Sequence, residues 1–448
     1  MLTRRDTQPE PAPTMSNRFD AVIIGAGVIG ACVAFELAKK GWKTLNVDKN
    51  ASAGYGSTSG SCAIIRTYYS AYETCAVSYE GWFYWKRWAD YLGVADPRGM
   101  VAYHDTGCLV VKTEHNKGLA NIAAMMDRIG CPYEHLTPQE MKARLPIMDL
   151  HQFGPPKRPD DPNFGEPTGA SVTGGIFFPR GGYVSDPALT AQNAEHAAKA
   201  HGAQFHYRAE VVAVRRAGGR VAGIVLNDGT LIDAPVVINV AGPHSYKINQ
   251  MAGVYDTMKM KTRALRHEVA HVPAPQGYDF EKNGCVFSDS DIATYCRPEL
   301  GNHILIGSED PPCDTREWVD PDDFNRDFTE QWRVQALRLA QRFPEMGIPS
   351  RMKGVVDLYD VTEDWMPIYD KSDLPGFYVA IGTSGNQFKN APVVGKMMTH
   401  LIEKCEAGHD HDKDPVDFHL DHIDRDVSVG FFSRNRDVNP NSSFSVLG

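Results

Sequence analysis

The sequence predicts an α/β fold in which a wound sheet of βαβ units is interrupted twice by a second, strand-rich α+β body. Three observations predict it. Residues 19–25 (FDAVIIG) form a short apolar run suited to a buried strand, residues 28–40 form a helix closed by Gly41, and residues 42–48 (WKTLNVD) form a second strand. Strand–helix elements of the same character return at 181–255 and 353–408. The stretches between them, 96–180 and 256–352, differ in character. The first body is therefore assigned residues 19–95, 181–255 and 353–408, and the second, substrate-facing body residues 96–180 and 256–352. Residues 409–448 are left as a polar, acidic tail.

The elements follow in order. A Gly/Ser-rich loop at 52–61 precedes an aromatic helix at 72–91, whose bulky residues suit packing between the bodies. Residues 113–150 read as helical, and 152–175 as a Pro/Asp/Gly loop. A helix at 187–201 leads into strands at 203–207, 211–216, 221–226, 230–234 and 236–241. Residues 256–310 read as strand-rich and 320–343 as helical. Strands at 355–359 and 377–381 and a helix at 391–407 complete the pattern.

Composition narrows the function classes. The 448 residues are 42% apolar and 23% charged, an ordinary globular balance. The net charge is −10 and no basic cluster is present, which excludes a nucleic-acid partner that must displace counterions from phosphates. An anionic substrate then requires local positive residues inside a pocket. Nine cysteines, scattered and without a C-x-x-C pair, read as reduced thiols and give neither a disulfide framework nor a metal site. His409-Asp410-His411-Asp412 reads as a solvated part of the tail. Residues 1–18 are polar and Pro-rich, lack the apolar core of a signal peptide and are expected to be disordered. The apolar run at 21–38 contains three spaced glycines and Glu36, so it reads as strand, turn and helix and gives no integral membrane segment. A cytoplasmic location is expected.

The chemistry begins at Gly25-Ala26-Gly27-Val28-Ile29-Gly30. This G-x-G-x-x-G follows a strand, opens a helix, and is followed by Asp48 and Lys49 at the end of the next strand. That context is a Rossmann-type dinucleotide fingerprint. Gly25 permits the turn, Gly27 the close approach of a pyrophosphate, Gly30 the packing of helix on strand, and Asp48 accepts from ribose hydroxyls. The carboxylate disfavours a 2′-phosphate. The fingerprint does not by itself separate NAD from FAD.

Four further places separate them: Gly56-Ser57-Thr58-Ser59-Gly60-Ser61 with Ile64-Ile65-Arg66-Thr67-Tyr68-Tyr69; Val237-Ile238-Asn239-Val240-Ala241-Gly242-Pro243-His244-Ser245; Tyr295-Cys296-Arg297-Pro298 with Leu305-Ile306-Gly307; and Ile381-Gly382-Thr383-Ser384-Gly385-Asn386-Gln387-Phe388-Lys389. With the fingerprint, they resemble the D-amino-acid oxidase/sarcosine oxidase family of FAD enzymes, glycine oxidase included, over most of residues 18–408. The resemblance implies a Rossmann-type FAD-binding domain with an inserted α+β substrate domain on a mostly antiparallel sheet. It implies oxidation of a C–N bond by hydride transfer to flavin N5, followed by imine hydrolysis. The substrate expected is a small carboxylated secondary or tertiary amine of the sarcosine, dimethylglycine or iminodiacetate type, with oxygen or an electron-carrier protein as acceptor.

The same resemblance places FAD against Gly25, Gly27, Val28, Ile29, Gly30, Asp48, Lys49, Ser57, Thr58, Ser59, Gly60, Val212, Ala241, Gly242, Gly385, Asn386, Gln387 and Lys389. Arg66, whose planar fork matches a carboxylate, and Lys389 are the expected substrate anchors. Tyr295 and Arg297 are further candidates on one face of a strand, and Tyr69 and Tyr183 are weaker ones. Monomeric sarcosine oxidases attach their flavin through a cysteine near the motif that here reads Val356-Asp357-Leu358-Tyr359, so non-covalent FAD is expected. Leu305 stands where those enzymes carry an oxygen-activating lysine, which leaves oxidase and dehydrogenase both open. A D-amino-acid or hydroxy-acid dehydrogenase and a non-catalytic FAD-binding subunit are the alternative readings.

Overall fold

The computed structural model describes residues 18–116 and 118–447. The disorder expected of the N-terminal segment falls on residues 1–17, outside the described residues; Arg18 is described and bridges Asp233.

A six-stranded sheet runs Ile368–Lys371, Phe377–Ile381, Val236–Asn239, Ala21–Ile24, Thr44–Asp48, Gln204–Tyr207. Every neighbouring pair is parallel except the first, which is antiparallel. Ala21, Val22 and Ile23 are fully buried, as a sheet covered on both faces requires. The helices Val28–Lys39, Pro187–Ala200 and Ala391–Glu406 cover one face. Small residues at Ala31, Ala34, Ala194 and Ala197 let the first two pack closely.

A second sheet has nine strands: Trp318–Val319, Thr262–Pro273, His303–Ser308, Thr294–Glu299, Val286–Asp289, Cys108–Val111, Gly175–Phe178 and Glu134–Leu136 in order, with Gly354–Thr362 also paired to Thr262–Pro273. It is antiparallel except where Val286–Asp289 meets Cys108–Val111. The helix Glu330–Arg342 lays Trp332, Ala336 and Leu339 on it. The fold is thus a Rossmann-type α/β unit with an inserted, mostly antiparallel α+β body.

Four stretches depart from the sequence reading. Residues 113–150 are not one helical region: Leu119–Ile129 stops at Gly130, which takes a left-handed φ of 73°. A strand, Glu134–Leu136, and a short helix opened by a Thr137/Glu140 capping box follow. Within 320–343 the α-helix is confined to Glu330–Arg342. The strand expected at 355–359 beside the nucleotide sheet extends over Gly354–Thr362 and belongs to the larger sheet.

The tail is the largest difference. Asp417–Leu420 and Arg425–Ser428 form a hairpin, and Leu420, Val427, Val429 and Phe432 join the main core. Arg434 holds it down. Its buried guanidinium meets Asp370 at 3.0 Å, Asp412 at 2.9 Å and Asp373 at 2.5 Å. Arg436 meets Asp364 at 2.8 Å. Within residues 409–412, Asp410 and Asp412 are exposed as a solvated segment requires, but His411 is buried and accepts from Val416 N at 2.9 Å.

Replacing Arg434 by Met leaves Asp370 buried without its guanidinium partner. We expect a loss of roughly 3–5 kcal/mol of stability, measured by denaturant unfolding, with earlier proteolysis of the tail; a change within about 0.5 kcal/mol would show that the cluster does not hold it.

Candidate active site

One cavity of about 620 Å³ opens at the carboxyl ends of the parallel strands, bounded by Ile24, Val47, Val240 and Ala380 on that side and by Val286, Ser288 and Tyr295 of the larger sheet on the other. Ligands of open α/β sheets bind at that edge.

At one end lies the early glycine turn. Gly25 has a φ of 116°, and a Cβ there would fall 2.4 Å from the Val240 carbonyl oxygen. The turn feeds the helix Val28–Lys39, whose N-cap, Gly27, carries no side-chain cap. Gly27, Val28, Ile29 and Gly30 line the cavity. Thr58 Oγ1 accepts from Val28 N at 3.1 Å. Asp48 also lines it, and its two oxygens accept from Ala26 N and Asn50 N, each at 2.8 Å, which leaves a lone pair on each for a ligand hydroxyl. Ser57, Gly60, Ala241 and Gly242 complete this end, and Lys49 reaches it while bonded to His244 and Asp322.

Two residues expected at the cofactor are not in the cavity wall. Ser59 turns its hydroxyl back to the Gly56 carbonyl at 2.9 Å. Val212 is 47% exposed, while its neighbour Val211 faces the cavity, the strand's alternation having put the two side chains on opposite sides.

At the other end lies the late turn. Gly385, Asn386, Gln387 and Lys389 line the cavity beside Tyr359. Gly385 has a φ of 70°, and a Cβ there would meet the Tyr359 ring at 2.5 Å. Asp360 fixes the approach to the turn: its carboxyl accepts from Gly382 N at 2.6 Å and its carbonyl from Ser384 N at 2.7 Å. Burial pushes the Asp360 carboxyl up to about 7. The aromatic helix Tyr72–Lys86 secures the turn from behind, with Trp85 Nε1 donating to the Lys389 carbonyl at 2.6 Å.

Arg66 and Lys389 converge. Both are buried, and both stand over the ring of Tyr69, the Arg66 guanidinium at 4.0 Å and the Lys389 amine at 5.3 Å from its centroid. Lys389 Nζ donates to Tyr69 OH at 3.0 Å and to the Asn386 carbonyl at 2.6 Å. Burial first, and the neighbouring Arg66 second, push the Lys389 pKa well down. Arg66 donates to the carbonyls of Tyr68, Val446 (3.0 Å) and Leu447 (2.8 Å).

Tyr295 lines the cavity, its hydroxyl 3.2 Å from that of Tyr359. Arg297, two residues further along the strand, lies outside the lining. It donates to the Cys62 carbonyl at 2.6 Å, pairs with Glu299 at 2.9 Å and stacks on Tyr183, so both Arg297 and Tyr183 support the wall from behind. The sequence reading missed Tyr68, Cys62, Ser288 and the tail residues Val446 and Leu447, all of which line the cavity. Arg434 and Arg436 in an otherwise acidic tail were the one local sign that it is anchored.

A helix start whose N-cap, Gly27, has no side chain, the open lone pairs of Asp48 and a second glycine turn at the far end suit a dinucleotide carrying a ring system. Comparison with known proteins agrees. A family model described as FAD dependent oxidoreductase (DAO) matches residues 20–401, and the chain belongs to that family. It is an FAD-dependent oxidoreductase, similar to sarcosine oxidase subunit beta of Rhodobacter capsulatus (24% identity, 88% of this chain and 87% of that one). Glycine oxidase of Geobacillus kaustophilus is 24% identical over 88% of this chain and 96% of its own length. Among solved structures, L-proline dehydrogenase from P. horikoshii has the same fold, with a TM-score of 0.73 at 20% identity over 93% of this chain and 97% of that one. No helix among the described residues is long and apolar enough to cross a membrane.

Gly385→Ala should place a methyl group in the Tyr359 ring and strain the backbone by about 1–3 kcal/mol. The expected result is a roughly tenfold weaker FAD dissociation constant with an unchanged far-UV spectrum; unaltered FAD affinity would contradict the close packing of this turn on the cofactor.

Proposed function

We propose that the chain oxidises the C–N bond of a small carboxylated secondary or tertiary amine, of which sarcosine, dimethylglycine and iminodiacetate are examples. The observation that carries this reading is the convergence of Arg66 and Lys389 on the side chain of Tyr69, beside the late glycine turn. Two buried cations in a protein of net charge −10 are a local site for an anion. A carboxylate seated between them offsets their mutual repulsion and pulls the Lys389 pKa back up. To reach Arg66 it takes the place of the Val446 and Leu447 carbonyls, so the tail's last described residues move as substrate enters.

Bound FAD supplies the two-electron acceptor for the carbon next to the substrate nitrogen. The protein's part is placement. The Arg66 fork sets the direction of the carboxylate, and Tyr295 and Tyr359 wall the pocket. The two cations also lower the pKa of the substrate ammonium, because like charges disfavour the protonated form. We take the FAD to be non-covalent: residues 356–359 hold no cysteine, and Cys62, which lines the cavity, is a buried thiol whose pKa burial raises. Oxygen or an electron-carrier protein then removes the electrons; Leu305 packs against the cluster around Tyr295 and supplies no positive charge there.

Anaerobic addition of such an amine should bleach the yellow protein, acid denaturation should release free FAD, and admission of air should distinguish oxidase from dehydrogenase by the speed with which colour returns. Arg66→Met should raise KM for the carboxylated amine by about a hundredfold, the loss of a bidentate charged contact of roughly 3 kcal/mol. Bleaching by no member of the class, or an unchanged KM in the variant, would defeat the assignment.

A further inference from the structure

Glu309 is a buried carboxyl that nothing in the preceding account uses. It follows the strand His303–Ser308, and its backbone N–H donates to the Ala293 carbonyl at 3.0 Å. One carboxyl oxygen accepts from Ser288 Oγ at 2.6 Å and the other from Ser290 Oγ at 2.8 Å. The two serines sit on different sides of it. Ser288 is in the wall of the active-site cavity, beside Tyr68, whereas Ser290 is half-buried and not part of that wall. Glu309 therefore spans the wall, one hydroxyl from the substrate space and one hydroxyl from the exterior. It makes no ion pair among the described residues.

Its charged and titratable surroundings are mixed. Arg66 faces it from the cavity and Asp289 from the end of the strand Val286–Asp289, the latter already held by Arg342 at 2.7 Å. Tyr68 faces it as a neutral phenol whose pKa burial raises. The next residue, Asp310, is paired with His267 at 3.2 Å. Burial is the largest influence on Glu309 and raises it; the two serine hydroxyls lower it, Asp289 raises it, Arg66 lowers it, and it stands at about 7. A carboxyl in that range is carboxylate above neutral pH and can take a proton there.

We propose that Glu309, acting through the Ser288 hydroxyl, takes up the proton that the bound substrate's ammonium must lose before its C–N bond can be oxidised. This rests on the amine-oxidation reading above and extends it. In the step, one N–H bond of the ammonium breaks and its electron pair stays on nitrogen as the lone pair. The proton passes to Ser288 Oγ while the proton already on Ser288 passes to Glu309. Nothing is oxidised or reduced in this transfer. For release the protonated carboxyl turns to present its O–H to Ser290, whose Oγ accepts that proton as it gives its own to solvent. Glu309 is a positioning and proton-holding residue; Ser288 is the group that touches substrate.

The test is the pH dependence of anaerobic flavin bleaching by a carboxylated amine in the FAD-loaded wild type, Glu309→Gln and Ser288→Ala. Wild type should lose rate as pH falls through about 7, because protonated Glu309 can accept nothing. Both variants should be slower by about tenfold or more near pH 7 and come within about twofold of wild type near pH 10, where the substrate arrives as free amine. A second readout needs no turnover: infrared titration should show carbonyl absorption of protonated buried carboxyls disappearing near neutral pH in wild type, and Glu309→Gln should lose the Glu309 part of it while that of Asp360 remains. Variants slowed equally at every pH, or variants with the wild-type profile, would overturn the role of Glu309 and leave the amine reading intact. Failure of any carboxylated amine to bleach wild type would overturn both.

Discussion

Parallel pairing on both sides of the strand Val236–Asn239 is the constraint from which the site follows. Ala21–Ile24 lies on one side and Phe377–Ile381 on the other, in registers that match Ile23 with Ile238 and Ile238 with Tyr378. Three strands from distant parts of the chain therefore end at one edge. Each end carries a turn: Gly25–Gly30, Ala241-Gly242 and Gly382–Lys389. Because a parallel sheet is buried on both faces, the edge at the strand ends is where backbone N–H groups and helix N-termini remain available to a ligand.

The second sheet supplies the facing wall that turns this edge into a cavity. Its strands bring Tyr295, Tyr359 and Ser288 opposite the late glycine turn, and the aromatic helix clamps that turn through Trp85. Exclusion of water has electrostatic consequences. It depresses Lys389 beside Arg66, and raises Asp360 and Glu309 to about 7. A buried carboxyl without a cation is costly to keep charged, so each of these two is stabilised by hydrogen-bond donors: backbone N–H groups for Asp360 and serine hydroxyls for Glu309. The acidic tail is stabilised differently. Its Arg434 and Arg436 are held by Asp364, Asp370 and Asp373 of the preceding segment together with Asp412, and the anchored segment lays Val446 and Leu447 across Arg66 at the cavity.

What the sequence makes legible follows the range of the forces involved. The early turn reads directly because all its determinants, a strand, three glycines, a helix and Asp48, lie within thirty residues of one another. The late turn has no such local grammar, and the resemblance to a family supplied it. Arg66 and Lys389 were identifiable as cations near loops, but their meeting over Tyr69 depends on contacts across more than three hundred residues. The tail was misread because its buried ion pairs join residues some sixty positions apart, so acidic composition alone imitates a solvated segment. Arg297 and Val212 were misplaced for a simpler reason. Val212 follows Val211 on its strand and so faces the other way, while Arg297 shares the face of Tyr295 but lies past the end of the cavity.

A crystal structure with FAD and a small carboxylate bound would test the central claim most directly. The account predicts the pyrophosphate at the start of the helix Val28–Lys39, beside Thr58, the isoalloxazine ring against Gly385–Gln387, and the carboxylate between Arg66 and Lys389. A ring system remote from the late turn, or a carboxylate bound away from both cations, would contradict it.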